Sequence, residues 1–236
     1  MGRHRRGLRK LFISLIGLQA KAGKISLKIK MWERISEVSM RRGNEADYLV
    51  FGELVIGGYA LPEGNFKTPT AIVDGGANIG MFALQAAARF PDLPIKCYEP
   101  DSANLKQLQI NLESNRIKAE IVPKALWSKT AELFFHPGLS YSGYVSEEMS
   151  PFPISCCLPE IPNGCWLKLD IEGAEYEVLP ALLCRSTKPA IISMEIHDFA
   201  RRGESLLQLL RVHGYSIWGS FKPDDVCVTI CAYKPI

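Results

Sequence analysis

A glycine-rich turn that follows an acid is the first feature of the chain that could take part in chemistry. In residues 72–82 a short apolar run ends at Asp74 and then leads to a helix through Gly75, Gly76, Ala77, Asn78 and Gly80. Small residues in such a turn let the backbone approach a ligand closely. A dinucleotide-binding turn needs Gly-x-Gly-x-x-Gly, and Ala77 stands in place of its middle glycine. The fingerprint of a nicotinamide-nucleotide site is therefore incomplete.

The order acid-x-Gly-x-Asn-x-Gly in this turn suits a cosubstrate that has no pyrophosphate. Such a turn can hold the aminoacyl end of a sulfonium compound while Asp74 faces its positive groups. Asn78 can adopt the left-handed backbone torsions that otherwise require glycine. Because glycine turns between a strand and a helix are also common without a ligand, this turn alone does not define a function.

Two further acidic segments follow apolar runs. Glu99, in Tyr98-Glu99-Pro100-Asp101, comes 25 residues after Asp74, and a carboxylate there can accept both hydroxyls of a ribose. Its structural alternative is to cap the next helix. Asp170 and Glu172 follow the apolar run that starts at residue 166. The carboxyl ends of the strands form the edge where open α/β sheets bind ligands, so these acids are expected to meet there.

A base within hydrogen-bond reach would help a hydroxyl group lose its proton as it accepts an alkyl group. The candidates are Asp170, Glu172 and His197, the last of which follows the apolar run 190–196. A lone histidine is more often a surface or packing residue. Lys168 and Glu195 are expected to be structural, with Lys168 either paired with Glu195 or directed to solvent.

The metal-ligand patterns in the sequence are weak. Asp170 and Glu172 could bind a hard cation through oxygen, but two carboxylates rarely complete a site. Cys227 and Cys231 lie four residues apart on one strand face, where two small buried side chains explain them equally well. None of the seven cysteines forms a Cys-x-x-Cys pair. We therefore expect no metal site and predict reduced thiols in a cytosolic protein.

The elements that must position these residues alternate between strand and helix. Apolar strands are predicted at 71–73, 95–98, 120–122, 166–169 and 190–196, with helices at 79–89, 102–114, 174–183 and 206–212. Right-handed crossovers then make the central sheet mostly parallel, with helices on both faces. Residues 216–220 and 226–233 are predicted to add a C-terminal antiparallel hairpin. The length of 236 residues fits one such α/β domain.

The N-terminal part of the chain differs from the remainder in charge. Residues 1–42 hold 12 of the 28 Lys and Arg residues but only 2 of the 25 Asp and Glu residues. We predict a basic helical extension over residues 1–48, including an amphipathic helix near 11–18 and helical spacing over 30–49, followed by a strand pair over 49–59. This extension could contact a membrane surface or simply pack on the domain. A secretion signal is less favoured, and no apolar run reaches the length of a membrane-spanning helix.

Residues 136–164 lack periodicity and are predicted to form a lid or binding loop, with a strand only at 154–158. The polar and aromatic side chains of this segment would suit sugar recognition, although loop tyrosines are also ordinary surface residues. The residues concerned are His136, Tyr141, Ser142 and Tyr144.

Taken in this order, Asp74 to Gly80, Glu99-Pro100 and Lys168 to Glu175 resemble the FkbM-type methyltransferases over residues 51–195. The resemblance implies a Rossmann-like class I methyltransferase domain over residues 49–236, with S-adenosylmethionine as donor. It further implies O-methylation of a sugar, glycolipid or other small molecule. The reduced thiols and the basic N-terminus, for their part, predict a protein that is cytoplasmic or peripheral at the membrane.

The same resemblance implies roles for individual positions. Asp74, Gly76, Asn78 and Gly80 would hold the methionine moiety, Glu99 the ribose, and Lys124-Ala125 the adenine edge, while Asp170 and Glu172 would face the transfer site. The expected cofactor-binding set also includes Gly75, Ala77, Pro100 and Asp170. Residues 125–128 depart from the more acidic or serine-containing stretch that the family often has there.

Two other functions are compatible with parts of the sequence. A nucleic-acid methyltransferase would use the basic N-terminus to contact phosphates. Base-amino methylation commonly uses an acid or Asn followed by Pro-Pro, whereas this chain has Asp170-Ile171-Glu172-Gly173 there, so no nucleic-acid partner is expected. A non-catalytic protein that keeps the fold and sits on a membrane is the second alternative. The intact acids Asp74, Glu99 and Asp170 argue against it.

Overall fold

The N-terminal part of the chain forms a three-stranded antiparallel sheet. The computed structural model describes residues 13–21, 23–62, 66–136 and 143–236. The sheet contains β1 (Ile13–Lys21), β2 (Lys24–Met31) and β3 (Arg34–Arg41), in that order. Alternate residues of β2 are buried, as the two-residue period of a strand requires. They pack with residues of β3 against the first helix of the central domain.

The helix predicted over residues 11–18 is therefore wrong for residues 13–18, and the helix predicted over 30–49 is wrong for residues 30–44, whereas residues 45–49 are helical. Residues 11 and 12 lie outside the described residues. The segment after the sheet is α1 (Glu45–Ile56), not the predicted strand pair. Asn44 starts α1 by accepting a hydrogen bond from the backbone N–H of Asp47, and Gly57 ends it in a left-handed conformation. The predicted basic extension is thus a sheet and part of a helix, and its boundary at residue 48 stays a prediction.

The third helix of the chain also covers the outer edge of this N-terminal sheet. The first half of the central domain contains β4 (Ile72–Gly75), α2 (Met81–Arg89), β5 (Ile95–Tyr98), α3 (Ser102–Ser114) and β6 (Ala119–Val122). Asn111 of α3 accepts a hydrogen bond from Ser39 N of β3 at 2.8 Å and donates to Ser39 O at 3.1 Å and to Ile79 O at 2.7 Å. The bonds to Ser39 N and Ile79 O pair buried backbone groups, and Ser39 O also accepts from Gln107 Nε2 at 2.8 Å.

We expect the substitution Asn111→Ala to lower the free energy of unfolding by about 1–3 kcal/mol, because it removes these bonds and leaves buried backbone groups unsatisfied. Urea denaturation followed by circular dichroism measures the change. Gln109→Ala, on the exposed side of the same helix, is the control and should change stability by less than about 0.5 kcal/mol. Equal effects of the two substitutions would contradict the bridging role of Asn111.

A second small sheet precedes and enters the segment that was predicted to be a loop over residues 136–164. It contains β7 (Ala125–Leu126), β8 (Ala131–His136), β9 (Tyr144–Ser146) and β10 (Pro153–Cys157), in the order β7-β10-β8-β9, and only β9, β10 and the last residue of β8 lie within the predicted loop. The predicted strand at 154–158 corresponds to β10. The remaining strands pair with segments that are distant in sequence, so local periodicity gives little sign of them.

The second half of the central domain returns the chain to the middle of the main sheet. It contains β11 (Trp166–Leu169), α4 (Glu175–Leu183), β12 (Ile191–Ile196), a π-helical turn (Phe199–Gly203), α5 (Glu204–Val212), β13 (Ser216–Trp218) and β14 (Val228–Tyr233). The seven strands lie in the order β13-β14-β12-β11-β4-β5-β6. Only β14 runs antiparallel to its neighbours, β12 and β13. The predicted Rossmann-like, mostly parallel α/β sheet is therefore confirmed.

Helices cover both faces of this sheet. The apolar side chains of α4 and α5 pack on one face with Leu167, Leu169 and Ile192, whereas those of α2 and α3 pack on the other face with Ile72 and Trp166. The strand order reverses between β4 and β11, because the chain first moves outward to β6 and then restarts on the other side. In open α/β sheets a crevice opens at the carboxyl ends of the strands at such a switch point.

Candidate active site

The turn after β4 is shaped by contacts with both neighbouring strands. The backbone N–H groups of Gly76 and Ala77 donate to Tyr98 O at the end of β5, at 3.0 and 2.9 Å. Gly76 has a φ of 73°, and a Cβ atom there would lie 1.9 Å from the carbonyl oxygen of Asp170. Only glycine fits this position, and the reason is the close approach of the segment after β11.

Asn78 and Glu99 join the turn to the end of β5. Asn78 has the left-handed conformation expected from the sequence, with a φ of 48°. Its backbone N–H donates to Glu99 Oε2 at 2.8 Å, and Asp101 N donates to Glu99 Oε1 at 2.9 Å. Burial raises the pKa of Glu99, whereas these hydrogen bonds favour its charged form. The side-chain oxygen of Asn78 is buried and has no hydrogen-bond partner among the described residues.

Lys168 is a buried cation between two acids. Its Nζ atom lies 3.6 Å from Asp74 Oδ1 and 3.4 Å from Asp170 Oδ2, and it donates to Gly76 O at 2.6 Å. Burial lowers the pKa of Lys168, but Asp170 and Asp74 outweigh this effect and the net pKa is raised. Burial also raises the pKa of Asp74. The predictions that Lys168 pairs with Glu195 or points to solvent are therefore wrong.

Tyr59 completes the surroundings of Asp170. The Tyr59 hydroxyl donates to Asp170 Oδ2 at 2.8 Å, and Lys168 Nζ lies 5.3 Å from the centre of the Tyr59 ring. The Lys168 amine and the Tyr59 hydroxyl both contact Oδ2 of Asp170. Among the described residues, no hydrogen bond or ion pair uses Oδ1 of Asp170.

His197 is held by two acids and is poorly suited to the predicted role of general base. Its Nδ1 atom lies 3.1 Å from Glu175 Oε1, and its Nε2 atom lies 3.3 Å from Glu172 Oε2. Burial lowers the pKa of His197, but hydrogen bonds with Cys227, Glu172 and Glu175 outweigh burial and raise it well above its usual value. Both ring nitrogens of His197 therefore contact carboxylates, and neither is free to accept the proton of a substrate.

A cavity of about 620 Å³ opens at the switch point and collects most of the predicted residues. The predicted residues that line it are Gly76, Asn78, Glu99, Pro100, Lys124, Ala125, Asp170, Glu172 and His197. Four others, Asp74, Gly75, Ala77 and Gly80, do not line this cavity. Asp74 is fully buried. It contacts Lys168, which in turn contacts Asp170 at the cavity wall.

The structure adds polar residues that the sequence did not assign to the site. Among them are Glu53, Tyr59, Glu195 and Cys227, of which Glu195 was predicted to be structural. Burial, followed by the charges of Asp170 and Glu195, raises the pKa of Glu53 to about 7. Glu195 precedes His197 by two residues, and side chains with this spacing share a strand face. That spacing was a signal in the sequence, whereas Glu53 and Tyr59 depend on the position of α1.

The small sheet supplies an apolar part of the cavity wall. Phe135, Gly143 and Val145 line the cavity. His136 and Tyr144, predicted to recognise a sugar, stack on each other with ring centroids 4.7 Å apart. Tyr141 and Ser142, predicted for the same role, lie outside the described residues.

The strand order and the acid-lined cavity at the switch point define a Rossmann-like class I methyltransferase fold. The family model described as the methyltransferase FkbM domain matches residues 74–217, which is more than half of the chain. The chain therefore belongs to the FkbM methyltransferase family. In the described part of the chain, no helix combines the length and the apolar character needed to cross a membrane.

Individual relatives are distant. The AMB antimetabolite synthetase AmbE of Pseudomonas aeruginosa is 26% identical over 229 residues, which cover 74% of this chain and 11% of that protein. The chain thus spans only a small part of that relative. The crystal structure of methyltransferase FkbM from Methylobacillus flagellatus KT is 21% identical, covers 70% of this chain and 43% of that chain, and has a TM-score of 0.46.

M. jannaschii TYW2, solved in complex with AdoMet, is 12% identical and covers 93% of this chain and 90% of that chain, with a TM-score of 0.46. With similarities as low as these, the fold assignment rests on the family match and on the observed strand order.

Proposed function

We propose that this protein transfers a methyl group from S-adenosylmethionine to a hydroxyl oxygen of a small-molecule, sugar or glycolipid acceptor. The observation that carries the proposal is the acid-lined cavity at the switch point of the sheet. Its volume of about 620 Å³ lies within the range of small-molecule sites, roughly 300–1,000 Å³. Carboxylates at its wall favour the two cationic groups of this donor, the sulfonium and the ammonium.

Several residues of the cavity fit the parts of S-adenosylmethionine. The buried, unpartnered oxygen of Asn78 can accept a hydrogen bond from an ammonium group. Glu99 Oε2 accepts one backbone N–H and retains a lone pair for a ribose hydroxyl, whereas Oε1 accepts from Asp101 N and, at 3.4 Å, from Asn104 Nδ2. Lys124 and Ala125 line the same cavity on the side of β7, where the adenine edge is proposed to bind.

When bound, the donor supplies an electrophilic methyl group, and the protein must align an acceptor oxygen with it. Such alignment can lower the barrier by several kcal/mol, roughly 7–11 kcal/mol at most. We assign the general base to Asp170, which lines the cavity while Tyr59 and Lys168 hold its Oδ2. Glu172 is engaged with His197 and is the weaker candidate. The apolar wall at Phe135 and Val145 would contact the acceptor.

Contact with an anionic membrane surface also remains a proposal. The outward face of β2 carries Lys24, Lys28 and Lys30, all exposed, on the side opposite its buried residues. Basic side chains on one face attract anionic lipid headgroups.

The proposal is tested by adding labelled S-adenosylmethionine and the purified protein to a cell extract, which is then separated into lipid, sugar and RNA pools. We expect label in the lipid or sugar pool. Label in the RNA pool would instead support the nucleic-acid alternative. Binding of the donor without transfer to any pool would support a non-catalytic protein.

We predict that Glu99→Ala weakens S-adenosylmethionine binding by about 1–3 kcal/mol, roughly 5- to 150-fold, through loss of charged hydrogen bonds to the ribose. Isothermal titration calorimetry measures the affinity, and circular dichroism checks the fold. Glu113→Ala, which removes an exposed acid from α3, is the matched control and should leave the affinity unchanged. Unaltered binding by Glu99→Ala would refute the ribose assignment.

A further inference from the structure

Three donors of different chemistry meet at the end of the β12–β14 ladder. One ligand atom from each of Glu195, His197 and Cys227 can be chosen so that all three lie within 4.8 Å of one another. Cys227 Sγ lies 3.0 Å from Glu195 Oε1. Because Ile196 pairs with Val228, the next residues outward, His197 and Cys227, lie at the same end of the ladder. The cluster therefore follows from strand register as well as from side-chain placement.

The orientation of His197 is an independent observation. Its Nδ1 atom lies 3.1 Å from Glu175 Oε1, and Glu175 is fully buried and fixed by the backbone N–H of Ile171 at 2.9 Å. This contact directs Nε2 of His197 toward the acids at the cavity. A carboxylate on one ring nitrogen is the usual support of a histidine whose other nitrogen binds a metal ion.

We propose that Glu195, His197 and Cys227 bind a divalent transition-metal ion of the zinc class, with the fourth position left for water or a substrate oxygen. Zinc accepts sulfur, nitrogen and oxygen ligands at about 2.0–2.3 Å, so the edges of its tetrahedron measure about 3.3–3.8 Å. The Sγ–Oε1 separation of 3.0 Å between Cys227 and Glu195 needs only a small expansion to match such an edge. A thiolate ligand disfavours Mg²⁺ and Ca²⁺, which prefer oxygen ligands.

The sequence predicts no metal site because its apparent ligands form two separate pairs. Neither Asp170 with Glu172 nor Cys227 with Cys231 contains the proposed set. In the structure Cys231 is buried in β14, whereas Cys227 lines the cavity.

The proposed ion lies beside the cavity that Asp170 lines. A bound metal ion would draw electron density from a hydroxyl oxygen that it contacts and would so assist loss of its proton. This catalytic role of the ion rests on the proposed methyl transfer. The binding of the ion to the three residues does not depend on it.

The test uses the full chain after treatment with a chelator. Titration with Zn²⁺ by calorimetry and with Co²⁺ by absorption should show one ion per chain, and Co²⁺ should produce a thiolate charge-transfer band. We expect Cys227→Ser to abolish the band and to weaken Zn²⁺ binding at least tenfold. Cys184→Ser, an exposed cysteine at the end of α4, is the control and should retain both properties.

A measurement on the unaltered chain covers the case in which Cys227→Ser fails to fold. Zn²⁺ should protect Cys227, but not Cys184, from alkylation by iodoacetamide, as determined by peptide mapping. Absence of Zn²⁺ binding, equal alkylation of Cys227 with and without Zn²⁺, or a Co²⁺ band that persists in Cys227→Ser would overturn the proposal. Titration of the metal-free chain with S-adenosylmethionine tests the proposed function separately.

Discussion

Replacement of Lys168 by methionine is expected to lower the free energy of unfolding by about 3–5 kcal/mol, since it leaves buried acids without their cation. Lys168 and Asp74 are both fully buried, and Asp170 is mostly buried. The substitution also removes the hydrogen bond to Gly76 O, which fixes the turn after β4. Guanidinium or urea denaturation at neutral pH measures the loss.

An exposed ion pair supplies the control for Lys168→Met. Lys129 lies 3.8 Å from Glu147, and both side chains are about two-thirds exposed, at 67% and 68%. Lys129→Met should cost no more than about 1 kcal/mol. The additional substitution Asp74→Asn should restore part of the stability lost in Lys168→Met, because it removes one unpaired buried acid. A loss below about 1 kcal/mol in Lys168→Met would show that the cation does not support the turn.

The second large effect is expected for Asp170→Asn, which should reduce kcat for methyl transfer by about 10²- to 10⁴-fold. Asparagine preserves the size of the side chain and can still accept the hydrogen bond from Tyr59, but it cannot take a proton from the acceptor. The affinity for S-adenosylmethionine should change much less than kcat. Steady-state kinetics on the acceptor found in the pool experiment, together with calorimetry, separates the two quantities.

Glu172→Gln tests the choice between the two acids. Glu172 contacts His197 and is therefore expected to give a smaller reduction in kcat than Asp170. If Glu172→Gln loses more activity than Asp170→Asn, the assignment of the base is reversed. If neither substitution affects kcat while both variants bind the donor, general-base catalysis by these acids is excluded.

The central sheet could be predicted from the sequence because its strands are short apolar runs that end in acids or glycines. Residues 72–75 and 166–169 are buried throughout, as strands covered on both faces require. Because parallel strands end at the same edge of the sheet, the sequence pattern was sufficient to predict that Glu99 and Asp170 line one cavity. Asn78 was also anticipated, since its left-handed torsion follows from the sequence of the turn.

The N-terminal region could not be predicted correctly because local patterns conflict there. Residues 24–31 alternate between buried and exposed positions, but their lysines also fit the polar face of a helix. Residues 45–56 are rich in apolar side chains typical of strands, and the helix is defined instead by Asn44 and Gly57 at its ends. The prediction of helices relied on the overall charge of this region and missed the two-residue period of its strands.

The missed site residues depend on contacts between distant segments. Tyr59 and Glu53 reach Asp170 only because α1 packs beside the turn after β4. Lys168 lies between Asp74 and Asp170 because β4 and β11 are neighbours, which places Lys168 opposite Asp74 in the ladder. Cys227 lies beside Glu195 and His197 because of the register of β12 with β14. None of these pairings is visible in a local stretch of sequence.

The most direct measurement is a crystal structure of the protein grown with S-adenosylhomocysteine, the product form of the proposed donor. It should show the ribose hydroxyls on Glu99, the amino acid end near Asn78, and the adenine near Lys124 and Ala125. A ligand bound at another surface, or none at concentrations that saturate related enzymes, would contradict the assignment of this cavity to the methyl donor.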